Sequence, residues 1–285
     1  MKRLLAGAIA LLMMMTVVAT SPAGASDDSR SFYVSLGDSL AAGIQPDENG
    51  DNQITDEAYT DVLFNLTRGR FDDLSHVKLG CPGETTVTMI KGGICSYDAG
   101  SQLDAARVFI EEHPDQIAFI TINLGANDLL VCDPADPGLE VCVATQFNQV
   151  AKSLGFSLAT LREVAPGVPI VGMNYYNPNL AAWLSPGGPV GEAIAIQTTE
   201  LNEAFNDNVL EPVYGAFGVP IADVTGYYLT SNFLEIGGTP LNVSVICRLT
   251  WMCDPERGPN IHANRAGYRV IAIAFYAKML REDII

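Results

Sequence analysis

Phe32-Tyr33-Val34-Ser35-Leu36 runs directly into Gly37-Asp38-Ser39-Leu40-Ala41-Ala42-Gly43. The first five residues form a short apolar and β-branched run, the signature of a buried strand. Gly37 permits a tight turn, and Ser39 falls where a helix begins. A serine at that place meets free backbone N–H groups and the positive end of the helix dipole, which suits a nucleophile whose substrate oxygen becomes negative. The same position equally suits a helix N-cap, so the block alone does not decide.

The pattern repeats outward along the chain. Apolar runs recur at Val77–Leu79, Ile117–Leu124, Val168–Met173 and Val219–Ala222, each bounded by Gly, Pro or charge. Between them, Glu57–Arg70, Ser101–Glu112, Gln146–Val164, Val190–Tyr214 and Asn264–Leu280 carry apolar residues at three- and four-residue spacing. Strands that are almost wholly apolar and alternate with helices predict a parallel sheet covered on both faces, a three-layer α/β domain spanning residues 26–285. Two stretches break the alternation, Asp47–Glu57 and Ser231–Pro259, and read as surface excursions.

In an open α/β sheet, ligands bind beyond the carboxyl ends of the strands. Gly80-Cys81-Pro82-Gly83-Glu84 follows the second strand, and Gly125-Ala126-Asn127-Asp128-Leu129 follows the third. The Gly83 and Ser39 main-chain N–H groups and the Asn127 amide form a candidate oxyanion hole, against the plainer readings of a turn glycine and an Asn cap. Asn260-Ile261-His262-Ala263-Asn264 precedes the last helix and puts His262 on a loop that can return to the crevice. Of the three histidines, His76 enters a strand and His113 ends a helix before Pro114, which leaves His262 as the general base. Asp38 adjoins the nucleophile and is read as structural. Tyr175, Tyr176, Leu129 and Trp251 are candidate walls of the crevice.

Taken together, Ser39, Gly83, Asn127 and His262, with LGCPGETT, LGANDL, GMNYYNP, TWMC and IHANRAGYRVIA around them, resemble the SGNH or GDSL family of serine hydrolases, in its secreted, cysteine-rich actinobacterial form. The resemblance implies an α/β/α sandwich on a mainly five-stranded parallel sheet. It also implies ester hydrolysis by a Ser39/His262 pair, with Ser39, Gly83 and Asn127 as oxyanion donors. The chain departs from the family where an Asp usually stands three residues before the histidine, because that position is Pro259. Two groups are left to orient His262: the Pro259 main-chain carbonyl, as in some secreted relatives, or the Asp254 carboxylate.

At the N-terminus, Lys2 and Arg3, an apolar run Leu4–Ala19 and the small residues Ser21–Ala25 spell a secretory signal peptide, residues 1–25, with cleavage after Ala25. The run is too short for a membrane span, so stable membrane insertion is not expected. Its removal takes the net charge from -17 to -19, which argues against nucleic acid and anionic membranes as partners. A small-molecule or lipid ester remains as substrate, of short to medium acyl length since no long apolar lid segment is evident, with a monomer expected and no cofactor or metal. In a secreted chain six cysteines predict disulfides, and short-loop closure favours Cys81 with Cys95, Cys132 with Cys142 and Cys247 with Cys253.

A rival reading starts from Asp47–Ala58, which places oxygen ligands at the first, third and fifth positions of a calcium-loop pattern but has Asn52 where Gly belongs and Ala58 where a bidentate Glu belongs. The corresponding alternative is a secreted, non-catalytic binding module on the same fold, weakly calcium-binding through Asp47–Glu57.

Overall fold

The computed structural model describes residues 30–132 and 137–285, so the expected signal peptide, residues 1–25, lies outside the described residues. The strands are β1 (Ser31–Gly37), β2 (Ile44–Pro46), β3 (Asn52–Ile54), β4 (Leu74–Lys78), β5 (Ile117–Asn123), β6 (Ile170–Met173), β7 (Ile221–Ala222), β8 (Glu235–Ile236) and β9 (Thr239–Pro240). Five of them form a parallel sheet in the order β4-β1-β5-β6-β7, while β2 with β3 and β8 with β9 make antiparallel hairpins.

The helices are α1 (Ser39–Ala42), α2 (Tyr59–Thr67), α3 (Thr86–Lys91), α4 (Gln102–Glu112), α5 (Leu139–Val164), α6 (Pro189–Phe205), α7 (Glu211–Ala216), α8 (Val224–Tyr227), α9 (Leu241–Leu249) and α10 (Arg265–Arg281). A π turn, Asn206–Leu210, joins α6 to α7 and accounts for the long helical pattern read over Val190–Tyr214. Helix α5 starts at Leu139, seven residues before the expected Gln146, and its first turns are not buried in the core: Leu139 and Val143 line a surface cavity instead. Both surface excursions carry structure: the first is the β2–β3 hairpin, and the second holds the β8–β9 hairpin and α9.

Every residue from Phe32 to Gly37 is buried, as is every one from Phe119 to Asn123, which explains why these strands read as continuous apolar runs. Tyr33 stacks on Phe119 with ring centroids 4.4 Å apart, and Tyr59 of α2 stacks on Phe275 of α10 at 4.8 Å. Burial of side chains of this size stabilises by roughly 1.5–3 kcal/mol each. Among the described residues no helix is long and apolar enough to cross a membrane.

The strand order positions the chemistry. From β1 the chain crosses to β4 on one side, then returns past β1 to β5 and continues outward to β6 and β7. With right-handed crossovers, the direction reverses between β1 and β5. A crevice opens at the carboxyl ends of these two strands, where Ser39 and Asn127 follow.

Candidate active site

Gly37 ends β1 with φ 141°, and a side chain there would collide with the Asn123 carbonyl and amide oxygens. The next residue, Asp38, caps α1: its Oδ1 accepts from Leu40 N at 2.8 Å and Asn123 Nδ2 at 2.8 Å, and its Oδ2 from Tyr175 Oη at 2.8 Å. Asn123 Oδ1 accepts in turn from Tyr59 Oη at 2.8 Å. Asp38 is 2% exposed, and burial pushes its carboxyl up to about 6 against the opposing pull of these donors. Because the cap role falls to Asp38, the half-buried Ser39 hydroxyl is not spent on capping.

Three loops are laced around this turn. Gln102 clamps Gly37 through Gly37 N to Oε1 at 2.6 Å and Nε2 to Gly37 O at 3.0 Å, and also donates to Glu84 Oε2 at 3.0 Å. Cys81 to Glu84 forms a turn with a 3.1 Å bond from Glu84 N to Cys81 O, and Gly83, at φ 81°, takes the position that calls for glycine. Asn127 Nδ2 donates to Glu84 O at 2.9 Å, which leaves its second amide hydrogen for a ligand. Asp128 closes the same joint by accepting from Thr86 N at 2.9 Å and Thr86 Oγ1 at 2.6 Å.

His262 reaches the crevice from the opposite side. Its loop is held by Trp251 N to His262 O at 3.1 Å and by Tyr176 Oη to Ile261 O at 2.8 Å. Burial pushes the imidazole down to about 4, so it is neutral at neutral pH, with a ring nitrogen open to accept a proton. The group against Nδ1 is neither of the two expected. Asn260 Oδ1 sits 2.7 Å from it and also accepts from His262 N at 3.1 Å, an Asx turn from residue 260 to residue 262. Asp254 is occupied in its own turn, accepting from Glu256 N, Arg257 N and the Arg257 guanidinium, and Pro259 O makes no hydrogen bond to the ring.

Ser39, Asn127 and His262 line one cavity of about 900 Å³. Its walls include Leu129, Tyr175 and Tyr176 as expected, but not Trp251, which packs under Arg257 at 4.2 Å. Gly83 is exposed and is not among the residues that line the cavity. Neither the Ser39 hydroxyl nor His262 Nε2 has a hydrogen-bond partner among the described residues, so both remain available to a ligand. The other histidines do structural work: His76 bonds Ser35 Oγ at 2.9 Å, and His113 Nδ1 lies 2.8 Å from Phe109 O. The disulfides are Cys81–Cys95, Cys132–Cys142 and Cys247–Cys253, the pairing of short loops.

The profile of the GDSL-like lipase/acylhydrolase family matches residues 35–270, a span that takes in Ser39, the Asn127 loop and His262. The chain belongs to this family. It is therefore a carboxylic ester hydrolase of the esterase and lipase type, and the non-catalytic alternative falls away. The fold is shared with an extracellular lipase from Streptomyces rimosus, at TM-score 0.56 and 15% identity over 87% of this chain and 99% of the other. It is shared also with a phospholipase A1 from Streptomyces albidoflavus, at TM-score 0.50 and 15% identity over 87% and 99%. A carbohydrate acetylesterase from Sinorhizobium meliloti aligns at TM-score 0.51 and 13% identity over 88% and 100%. No curated protein matches the chain significantly.

The rival metal loop takes a different form. Asp47 Oδ1 accepts from Asn49 N at 2.8 Å and Asp51 N at 3.0 Å, while Glu57 turns away to pair with Arg265 at 2.9 Å. The side-chain amides of Gln53 and Gln45 complete the partners, donating to Asp47 Oδ2 at 3.4 Å and to Glu57 Oε2 at 3.1 Å.

Sequence reading missed Asn260, Asn123 and the hydroxyls of Tyr175 and Tyr176. Asn260 carried a signal, since an Asn two residues before a functional residue is an Asx-turn pattern. The others act across 52 to 137 residues of chain, beyond any local pattern.

Proposed function

We propose that the mature chain, from residue 26 onward, is one secreted hydrolase domain that cleaves carboxylic esters through an acyl-enzyme on Ser39. His262 Nε2 takes the Ser39 proton as Oγ attacks the ester carbonyl. The oxyanion rests on the Ser39 and Gly83 main-chain N–H groups and the free Asn127 amide hydrogen. The imidazolium then protonates the leaving alcohol, and a water activated by the same histidine releases the acid. The observation that carries this reading is the convergence of Ser39, Asn127 and His262 on one cavity.

The apolar walls at Leu129, Leu130, Val143, Ile194 and Leu201 suit the acyl part of the ester. A volume near 900 Å³ lies in the upper part of the usual range for small-molecule pockets, roughly 300–1,000 Å³, and accommodates short to medium acyl chains with their alcohol. Secretion is supported by the N-terminal charge and apolar pattern and by three disulfides.

The test is hydrolysis of a p-nitrophenyl ester series, acetate to palmitate, by wild type, Ser39→Ala and His262→Ala. Both variants are expected to be inactive and the wild type to peak at short or medium chains. Full turnover by either variant would overturn the mechanism.

A further inference from the structure

The β2–β3 hairpin has no part in the mechanism above, yet it touches both halves of the site. It begins immediately after α1, the helix that starts at Ser39, and its root is pinned by Thr55 N to Gly43 O at 3.1 Å and Thr55 Oγ1 to Gly43 O at 2.7 Å. Its other contacts run to the histidine side: Asn52 Oδ1 accepts from Asn260 Nδ2 at 2.8 Å, Glu57 just beyond the hairpin pairs with Arg265, and Tyr268 Oη donates to Ile44 O at 2.8 Å.

The direction of each bond along this path is fixed by chemistry. Because Asn260 Oδ1 accepts the His262 backbone N–H, it is the amide oxygen that faces the ring, and only a protonated Nδ1 can meet it. Asn260 Nδ2 then points to Asn52 Oδ1. We propose that Asn260 is the positioning residue of His262, holding it as the Nδ1–H tautomer with Nε2 free, and that Asn52 on the hairpin fixes Asn260 in turn. The proposal rests on His262 being the base.

An amide oxygen aligns the ring as a carboxylate does but adds no charge to stabilise the imidazolium. The charged groups on surrounding elements have other partners: Asp254 pairs with Arg257, Glu57 with Arg265, and Asp38 with Leu40 N, Asn123 and Tyr175. Glu140 and Glu200 also line the cavity, and it is burial that pushes the imidazole down.

The experiment compares Asn260→Ala, Asn260→Asp, Asn52→Ala and His262→Ala by kcat, KM and the pH dependence of kcat/KM, with 15N spectra of the three imidazoles. Asn260→Ala is expected to lose roughly 10- to 100-fold in kcat, the usual scale for removing an orienting partner, with KM within about twofold. Its His262 15N signals should shift from the Nδ1–H pattern towards a tautomer mixture. Asn260→Asp is expected to restore most of the rate and to move the acid limb up by about one pH unit or more, because a carboxylate favours imidazolium. The exposed Asn52→Ala should lose roughly two- to tenfold, one hydrogen bond's worth. If Asn260→Ala fails to fold, the Asn260→Asp pH shift and the Asn52→Ala loss decide; absence of both overturns the proposal. Wild-type kcat and 15N signals in Asn260→Ala, with His262→Ala inactive, would overturn the positioning role and leave the serine–histidine reading standing. Full activity of His262→Ala would overturn both.

Discussion

The two halves of the proposed catalytic pair are held in opposite ways. Ser39 follows directly from β1, over a floor in which Asp38, Asn123, Tyr59 and Tyr175 satisfy one another inside the protein. His262 sits on a loop outside the sheet, steadied by Tyr176 and by Asn260, whose own support is an exposed bond to a surface hairpin. Both residues draw on side chains from distant parts of the chain, but those beneath Ser39 are buried and bond one another, whereas the support of His262 ends in an exposed bond. Damage on the nucleophile side should cost chemistry outright. Damage on the base side should be graded and sensitive to conditions.

The largest effect tests the rigid half. Ser39→Ala should lower kcat by roughly 10⁴-fold or more with the fold intact, since serine, base and acceptor act as a unit. Circular dichroism beside the ester assay checks this, and a residual rate above a hundredth of wild type would contradict it. Next in size, Asn127→Ala should cost roughly 10²–10³-fold in kcat with KM little changed, as expected for a donor that acts on the developing oxyanion. A loss confined to KM would make Asn127 a ground-state contact instead.

Thiol reduction separates the loops from the sheet. Cys81–Cys95 pins the Gly83 turn, and Cys132–Cys142 pins the segment after Asn127. Activity should therefore fall several-fold under reductant before the far-ultraviolet spectrum changes, because stapled loops loosen before the buried sheet. Simultaneous loss of both would place the loops and the sheet in one cooperative unit.

The smallest effects come from protons. With His262 pushed down to about 4, kcat/KM should hold through mildly acidic pH and fall with an acid limb near that value, in place of the ordinary histidine range near 6.5. For stability, the unfolded chain protonates His262 near 6.5 while the folded chain does so only near 4, so stability falls as pH drops through that window. His76, pushed down to about 3 by burial, adds to the same loss. Asp38 opposes it: a carboxyl raised from 3.8 to about 6 favours the folded state as pH falls through that interval. Denaturant midpoints between pH 7 and pH 4 should decline less steeply in His262→Gln than in wild type; equal slopes would contradict the histidine contribution.

Much of the nucleophile half was legible in sequence for the same reason that it is rigid. The apolar run before Gly37, the serine at a helix start and the glycine turn at Gly83 are local patterns, and strand alternation carried them to one edge of a parallel sheet. His262 stands out by elimination among three histidines, but its partner does not: the position where the family keeps an acid is Pro259, and Asp254 lies eight residues before the histidine. Asp254 had nearer donors in Glu256 and Arg257, and the partner that does meet the ring depends on an amide whose second contact lies 208 residues away. At Asp47 the carboxylate oxygen bonds the N–H groups of Asn49 and Asp51 within the hairpin, an arrangement that the spacing of acids does not distinguish from a metal loop.

The most direct measurement is rapid quenching of wild type during p-nitrophenyl butyrate turnover, followed by peptide mass spectrometry. The account predicts a butyryl group on the peptide that contains Ser39, formed in a burst and absent from both Ser39→Ala and His262→Ala. Steady turnover with no adduct on that peptide, together with an active Ser39→Ala variant, would contradict it.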